Sequence, residues 1–131
     1  MTDKTPPGVD PYRFILDNID SVPQLEALML LWNSRPVGWT LEELASRLYV
    51  PVQDIGNLLN DLSRRNLIAR TEGAAPKYSY HPRSEEQNAL MEQVDVVYRR
   101  DLVRVSTMIH SKASPAVREF SRAFLFKKER E

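Results

Sequence analysis

Between Thr40 and Ile68 the apolar residues fall into helical spacing twice, with only a short break between the two runs. Thr40 is followed three residues later by Glu43, the pairing in which a hydroxyl and a carboxylate close a helix's first turn reciprocally. TLEELASRLYV then sets Leu41, Leu44, Ala45 and Leu48 on an inner side and leaves Glu42, Glu43, Ser46 and Arg47 for water. Tyr49, Val50 and Pro51 interrupt the pattern, and it resumes as Ile55, Leu58, Leu59 and Leu62. Arg64 and Arg65 close this second run, at the end where the helix dipole favours cations.

The flanking sequence extends the pattern. Tyr12, Ile15, Leu16 and Ile19 predict a short helix, with Pro11 suited to its first turn. Ser21 is placed to cap a largely buried helix through VPQLEALMLLWNS, in which Leu25, Leu28, Met29 and Trp32 form the stripe. That helix stops at Arg35 and Pro36, and a short strand is expected at Trp39. After Asn66 the period shortens to two: LIARTE and KYSYH read as a hairpin around GAAPK, with Tyr78 and Tyr80 on one face. From Ser84 a stripe of Leu90, Val94, Val97, Tyr98, Leu102, Val105, Met108 and Ile109 predicts one long helix of about five apolar turns. Ser114 and Pro115 open a last amphipathic segment, with Val117, Phe120, Ala123 and Phe124 as its apolar side. The fold class expected is therefore mostly α with a small β-hairpin, organised as a flexible lead-in over 1–11, a domain over 12–83 and C-terminal helices over 84–131.

With 42% hydrophobic residues in 131 positions the chain can bury a core of its own. No apolar run reaches the ~18 residues that span a bilayer, and the N-terminus lacks a basic start before an apolar stretch; a cytoplasmic chain with no membrane association is expected. Cysteine is absent, which excludes disulfides, thiolate metal sites and thiol nucleophiles. Eighteen basic and eighteen acidic residues cancel, so the molecule as a whole exerts no general pull on nucleic acid. The distribution is uneven: residues 1–50 hold four basic and seven acidic side chains, whereas residues 51–83 and residues 113–131 each hold five basic and three acidic.

Taken in order, GWTLEELASRLYVPVQDIGNLLNDLSRRNLI resembles the strand, second helix, turn and recognition helix of bacterial winged helix-turn-helix regulators of the multiple-antibiotic-resistance (MarR) and phenolic-acid (PadR) types. The likeness covers about residues 21–83 and is weaker over the long helix, which in those families often makes the dimer. It implies a DNA-binding transcriptional regulator, and it departs from the pattern at two places. The reading positions hold Gln53, Asp54, Gly56, Asn57, Asn60 and Asp61 where such proteins usually carry Ser, Thr, Arg or Lys. Asn66 stands where a glycine often follows the helix, and asparagine also tolerates the left-handed conformation needed there.

On that reading Gln53 and Asn57, four apart and hence on one face, are the candidates to pair with adenine N6 and N7, with Asn60 three further on. Phosphate contacts are expected from the amide end of the helix that starts at Thr40, from Arg47, and from Arg64 or Arg65. Arg70 and Lys77 flank the hairpin tip, from which a wing reaches backbone or minor groove. The partner is then double-stranded DNA.

Leu90, Val94, Val97, Tyr98, Leu102, Val105 and Ile109 form more apolar surface than a small core covers, and homodimerisation through residues 88–110 is expected; the bland reading is that the helix folds back on its own domain. The C-terminal segment is expected to dock on the domain, because Glu119, Glu129 and Glu131 oppose membrane anchoring. His81 and His110 have no histidine or cysteine at ligand spacing, and no phosphate-cradling glycine loop exists, so neither a cofactor nor an enzyme is expected. A second class of function stays open, a winged-helix module that binds a protein partner through its acidic, amide-rich helix.

Overall fold

The start signals expected at Ser21 and Thr40 appear as hydrogen bonds in the computed structural model, which describes residues 10–113, and Asp10 adds one that the sequence reading does not name. Helix α1, Pro11–Asn18, is capped by the Asp10 carboxylate, which accepts from the Tyr12 amide at 2.8 Å. Helix α2, Val22–Asn33, begins under the Ser21 hydroxyl. Helix α3, Leu41–Leu48, carries the complete reciprocal cap: the Glu43 amide donates to Thr40 Oγ1 at 3.1 Å, and the Thr40 amide donates to Glu43 Oε1 at 2.9 Å. Each such cap satisfies amides that no intrahelical carbonyl can reach. Helix α4, Val52–Arg64, is the exception. It starts at Pro51 with no side chain on its first amides.

The turn between α3 and α4 passes through Tyr49 in the left-handed region, φ 58°, and α4 leaves through Asn66 at φ 60°. The second is the expected use of asparagine; the first is carried by a tyrosine and was not legible. Strand β1, Ile68–Arg70, pairs antiparallel with β2, Tyr78–Tyr80, in the register Ile68 to Tyr80 and Arg70 to Tyr78. Tyr78 and Tyr80 both point inward, as period two requires. Trp39 adds the predicted short strand, exchanging both backbone hydrogen bonds with Tyr78 at 2.7 and 2.8 Å.

Helix α2 runs through the middle. Its Leu25, Leu28 and Leu31 are sealed from solvent, and it packs against α3, α4, β2 and the C-terminal helix. Ile55, Leu59 and Leu62 of α4 and Leu44 of α3 complete this core, each such side chain contributing roughly 1.5–3 kcal/mol. The core also holds a polar residue that periodicity did not mark. Gln24 is fully buried, its Oε1 accepting from the Asp20 amide at 2.8 Å and its Nε2 donating to the Leu58 carbonyl at 3.3 Å. Gln24→Leu keeps most of the volume but strands the Asp20 amide. It is expected to lower the urea-unfolding free energy by about 1–3 kcal/mol, and an unchanged midpoint would show that this bridge contributes nothing.

The C-terminal half corrects one expectation. Residues 84–113 do not form a single helix: α5, Glu85–Arg100, ends at Asp101 (φ −123°, ψ 42°), and α6, Leu102–Ala113, begins there. The Asp101 amide closes α5 on the Val97 carbonyl, its own carbonyl accepts from Val105, and its carboxylate takes the Tyr12 hydroxyl. A straight helix would have carried its last turns past the small core; the break turns α6 back onto α1. Leu90, Val94, Val105 and Ile109, expected at a dimer seam, are consequently buried in the chain's own interior, with Val97 and Tyr98 packed against its margin. Leu102, at 46% exposure, is the member of that set left in solvent. The lead-in over residues 1–9 and the segment expected from Ser114 onward, including Val117, Phe120, Ala123 and Phe124, lie outside the described residues.

Candidate nucleic-acid interface

At 100° per residue, the buried stripe of α4 leaves Gln53, Asn57, Asn60 and Arg64 along the centre of the opposite face. The structure exposes all four. Asp54 and Asp61 lie along one edge of this row, and Val52 and Gly56 along the other. Asp61 is not a free negative charge, because it pairs with Arg64 one turn on. An open groove of about 780 Å³ continues from the row, walled by Asn57, Asn60, Asp61 and Arg64 of α4 and by Ile68 and Arg70 of β1. The second half of the amide row and the base of the hairpin therefore share one concave surface.

Arg70 is held in place there. Its Nε donates to the Tyr78 hydroxyl at 3.1 Å, and its guanidinium lies 5.9 Å from the centre of the Tyr78 ring. Lys77 lies at the far side of the tip, exposed, with its stem packed over Gly38. A Cβ at Gly38 would sit 3.0 Å from that stem, so the glycine makes room for the lysine. Below the hairpin, Tyr80 donates to Asn88 at 3.1 Å and stacks edge-on to Trp32 at 4.9 Å. Burial pushes its phenol up, which keeps it a neutral donor.

Three predicted contacts are placed elsewhere. Arg65 points away from the amide row: it donates to the Asn18 carbonyl and lies 3.4 Å from the Asp20 carboxylate, closing the C-terminal end of α1. Thr40 is engaged by Glu43, and Glu42 and Glu43 make that helix end acidic. Arg47 is exposed on α3, lining a cleft with Glu26, Tyr98 and Arg99 that contains no residue of α4. In that cleft burial, and after it the Glu26 carboxylate, push the Tyr98 phenol up.

Two exposed apolar side chains escape the sequence reading, Val52 at the start of α4 and Tyr49 in the cleft that holds Arg47. Tyr49 is 93% exposed and Val52 44%. Helical spacing alone sets Val52 beside Leu59, on the flank of the buried stripe, and its exposure follows from its place at the first position of α4; for Tyr49 no local signal exists. Among the described residues no group of His, Asp and Glu is arranged to hold a metal ion, and no helix is long and apolar enough to cross a membrane.

No family model matches the chain, and comparison with curated proteins finds no match. Solved structures do resemble it. MepR of Staphylococcus aureus, a transcription regulator of the multidrug efflux pump MepA, is 20% identical with a TM-score of 0.53, over 90% of this chain and 84% of that one. The fold is a winged helix. A MepR–DNA complex matches 72% of this chain and 79% of its own at 17% identity and TM-score 0.53. A MarR family protein from Bacillus stearothermophilus matches 92% of this chain and 83% of its own at 18% identity and TM-score 0.50. In winged-helix terms α3 and α4 take the places of the helix-turn-helix pair and the β1–β2 hairpin that of the wing.

Proposed function

We propose that the chain is a cytoplasmic, DNA-binding transcriptional regulator of winged-helix type that acts as a homodimer without enzymatic activity. The observation that carries this reading is the solvent-facing row Gln53, Asn57 and Asn60 on an α4 whose first amides have no side-chain cap. Amide side chains at one helical turn's spacing can pair with adenine edges, and uncapped amides can take a phosphate. Arg70 and Lys77 supply cations around this row for the backbone, Arg64 sits at its end paired with Asp61, and Arg65 and Thr40 serve the fold. The MepR–DNA complex shows that a protein of this fold is seen bound to DNA.

Selection from a random duplex library should enrich one pseudo-palindromic motif, and affinity for it should fall steeply with salt. Gln53→Ala and Asn57→Ala should each weaken binding to that motif by about tenfold without altering thermal stability. A library that yields no motif sinks the proposal. Dimerisation would use Val96, Leu102 and Val103, the large apolar side chains exposed on either side of the Asp101 break.

A further inference from the structure

Gly56 sits inside α4, and a Cβ built on it meets nothing within 4 Å. Its φ is an ordinary helical one, so neither backbone geometry nor a neighbouring side chain calls for a glycine. A glycine there nevertheless weakens the helix relative to alanine, by about fivefold in the folding equilibrium. The space above it is useful only to something that approaches α4 from outside. One turn earlier, on the same edge of the face, stands Val52, an apolar side chain 44% exposed at the helix's first position. Val52 and Gly56 thus form an apolar ledge with a notch in it, running beside the amides of Gln53, Asn57 and Asn60.

The chemistry of this edge is selective. Guanine is read most often by arginine or lysine on O6 and N7, and no basic residue occurs between Arg47 and Arg64. Adenine offers N6 and N7 to an amide, and its partner thymine offers a C5 methyl to an apolar contact. The row and the ledge match those two features side by side. We propose that the Val52–Gly56 edge of α4 receives the C5 methyl of a thymine in the major groove, so that A·T pairs are the bases this helix reads. The inference rests on the DNA-binding reading above and names the bases recognised.

The test uses the full chain and the duplex enriched from the random library. Each thymine of a half-site is replaced in turn by deoxyuridine, which removes only the methyl, and affinity is measured by fluorescence anisotropy. One position per half-site should lose about fourfold, the value of one buried methyl group, and the others should be unchanged. Val52→Ala should shrink the thymine–uracil difference at that position. Gly56→Ala should raise Tm by about 3–5 °C while weakening binding to the thymine duplex about tenfold, with a smaller loss on the uracil duplex. Equal affinity for thymine and uracil at every position, a motif read only at G·C pairs, or a Gly56→Ala variant that binds as tightly as the parent would each overturn the methyl notch and leave DNA binding standing. A library with no enriched motif would instead overturn the DNA-binding reading, and the notch with it.

Discussion

Trp32→Ala is expected to lower the unfolding free energy by about 3–5 kcal/mol, enough to leave a domain of this size marginal. Trp32 lies in the last turn of the central helix and is 8% exposed. One edge of its indole meets the Tyr80 ring at 85° and 4.9 Å, and the Arg35 guanidinium lies 3.5 Å over its centre. The residue therefore joins α2 to the wing, and its loss creates a cavity under β2 as well as removing apolar area. Trp32→Phe, which retains a ring at that place, should cost much less. Urea unfolding measures both, and hydrogen exchange at the Trp39 and Tyr78 amides should report wing opening in Trp32→Ala ahead of global unfolding. A loss below about 1 kcal/mol would mean that the wing is held by its backbone pairing alone.

The second large effect separates the two readings of the C-terminal stripe. Val105 and Ile109 are sealed in the chain's own core, and α6 is held down by Lys112, whose ammonium lies 2.5 Å and 2.6 Å from the Leu16 and Ile19 carbonyls. Ile109→Asp places a carboxylate in that interior and is expected to destabilise the folded chain by about 3–5 kcal/mol at neutral pH. Leu102→Glu, at an exposed position, should change stability by no more than about 0.5 kcal/mol and, on the proposed homodimer, shift light scattering at micromolar concentration toward monomer. A well-folded monomeric Ile109→Asp would contradict the packing of α6 on α1. A parent chain that scatters as a monomer would overturn the proposed dimer, and a dimer unaltered by Leu102→Glu would remove that position from the proposed interface.

How far the fold was legible depended on the range of the interactions involved. The caps at Ser21 and Thr40, the helix start near Ser84, the left-handed Asn66 and the shared face of Tyr78 and Tyr80 are all legible in the sequence. Each rests on atoms within a few positions of one another or on a period of two or 3.6. The row Gln53, Asn57 and Asn60 was legible for the same reason, since the face opposite a buried stripe is set by helical geometry. The groove that joins this row to Arg70 was not, because it depends on how the hairpin packs against α4.

Two long-range side-chain contacts are not legible from residue type. Arg65 reads as a phosphate ligand beside Arg64, yet it reaches the Asn18 carbonyl 47 positions away. Asp101 lies inside an unbroken apolar stripe, yet a helix ends there and its carboxylate meets the Tyr12 hydroxyl 89 positions away.

By itself, then, the sequence determined the helices from α1 to α4 and their starts, the hairpin and the polar face of α4, because short-range hydrogen bonds and periodic burial specify those locally; the break that divides α5 from α6 is not among them. Only the tertiary structure decided that the C-terminal stripe is spent on the chain's own core and that α1, with no basic residue in its last turn, borrows Arg65 and Lys112 for its terminal carbonyls. It alone shows too that Gly56 opens onto empty space beside an exposed Val52. These outcomes depend on which distant surfaces meet, and no local pattern carries that information.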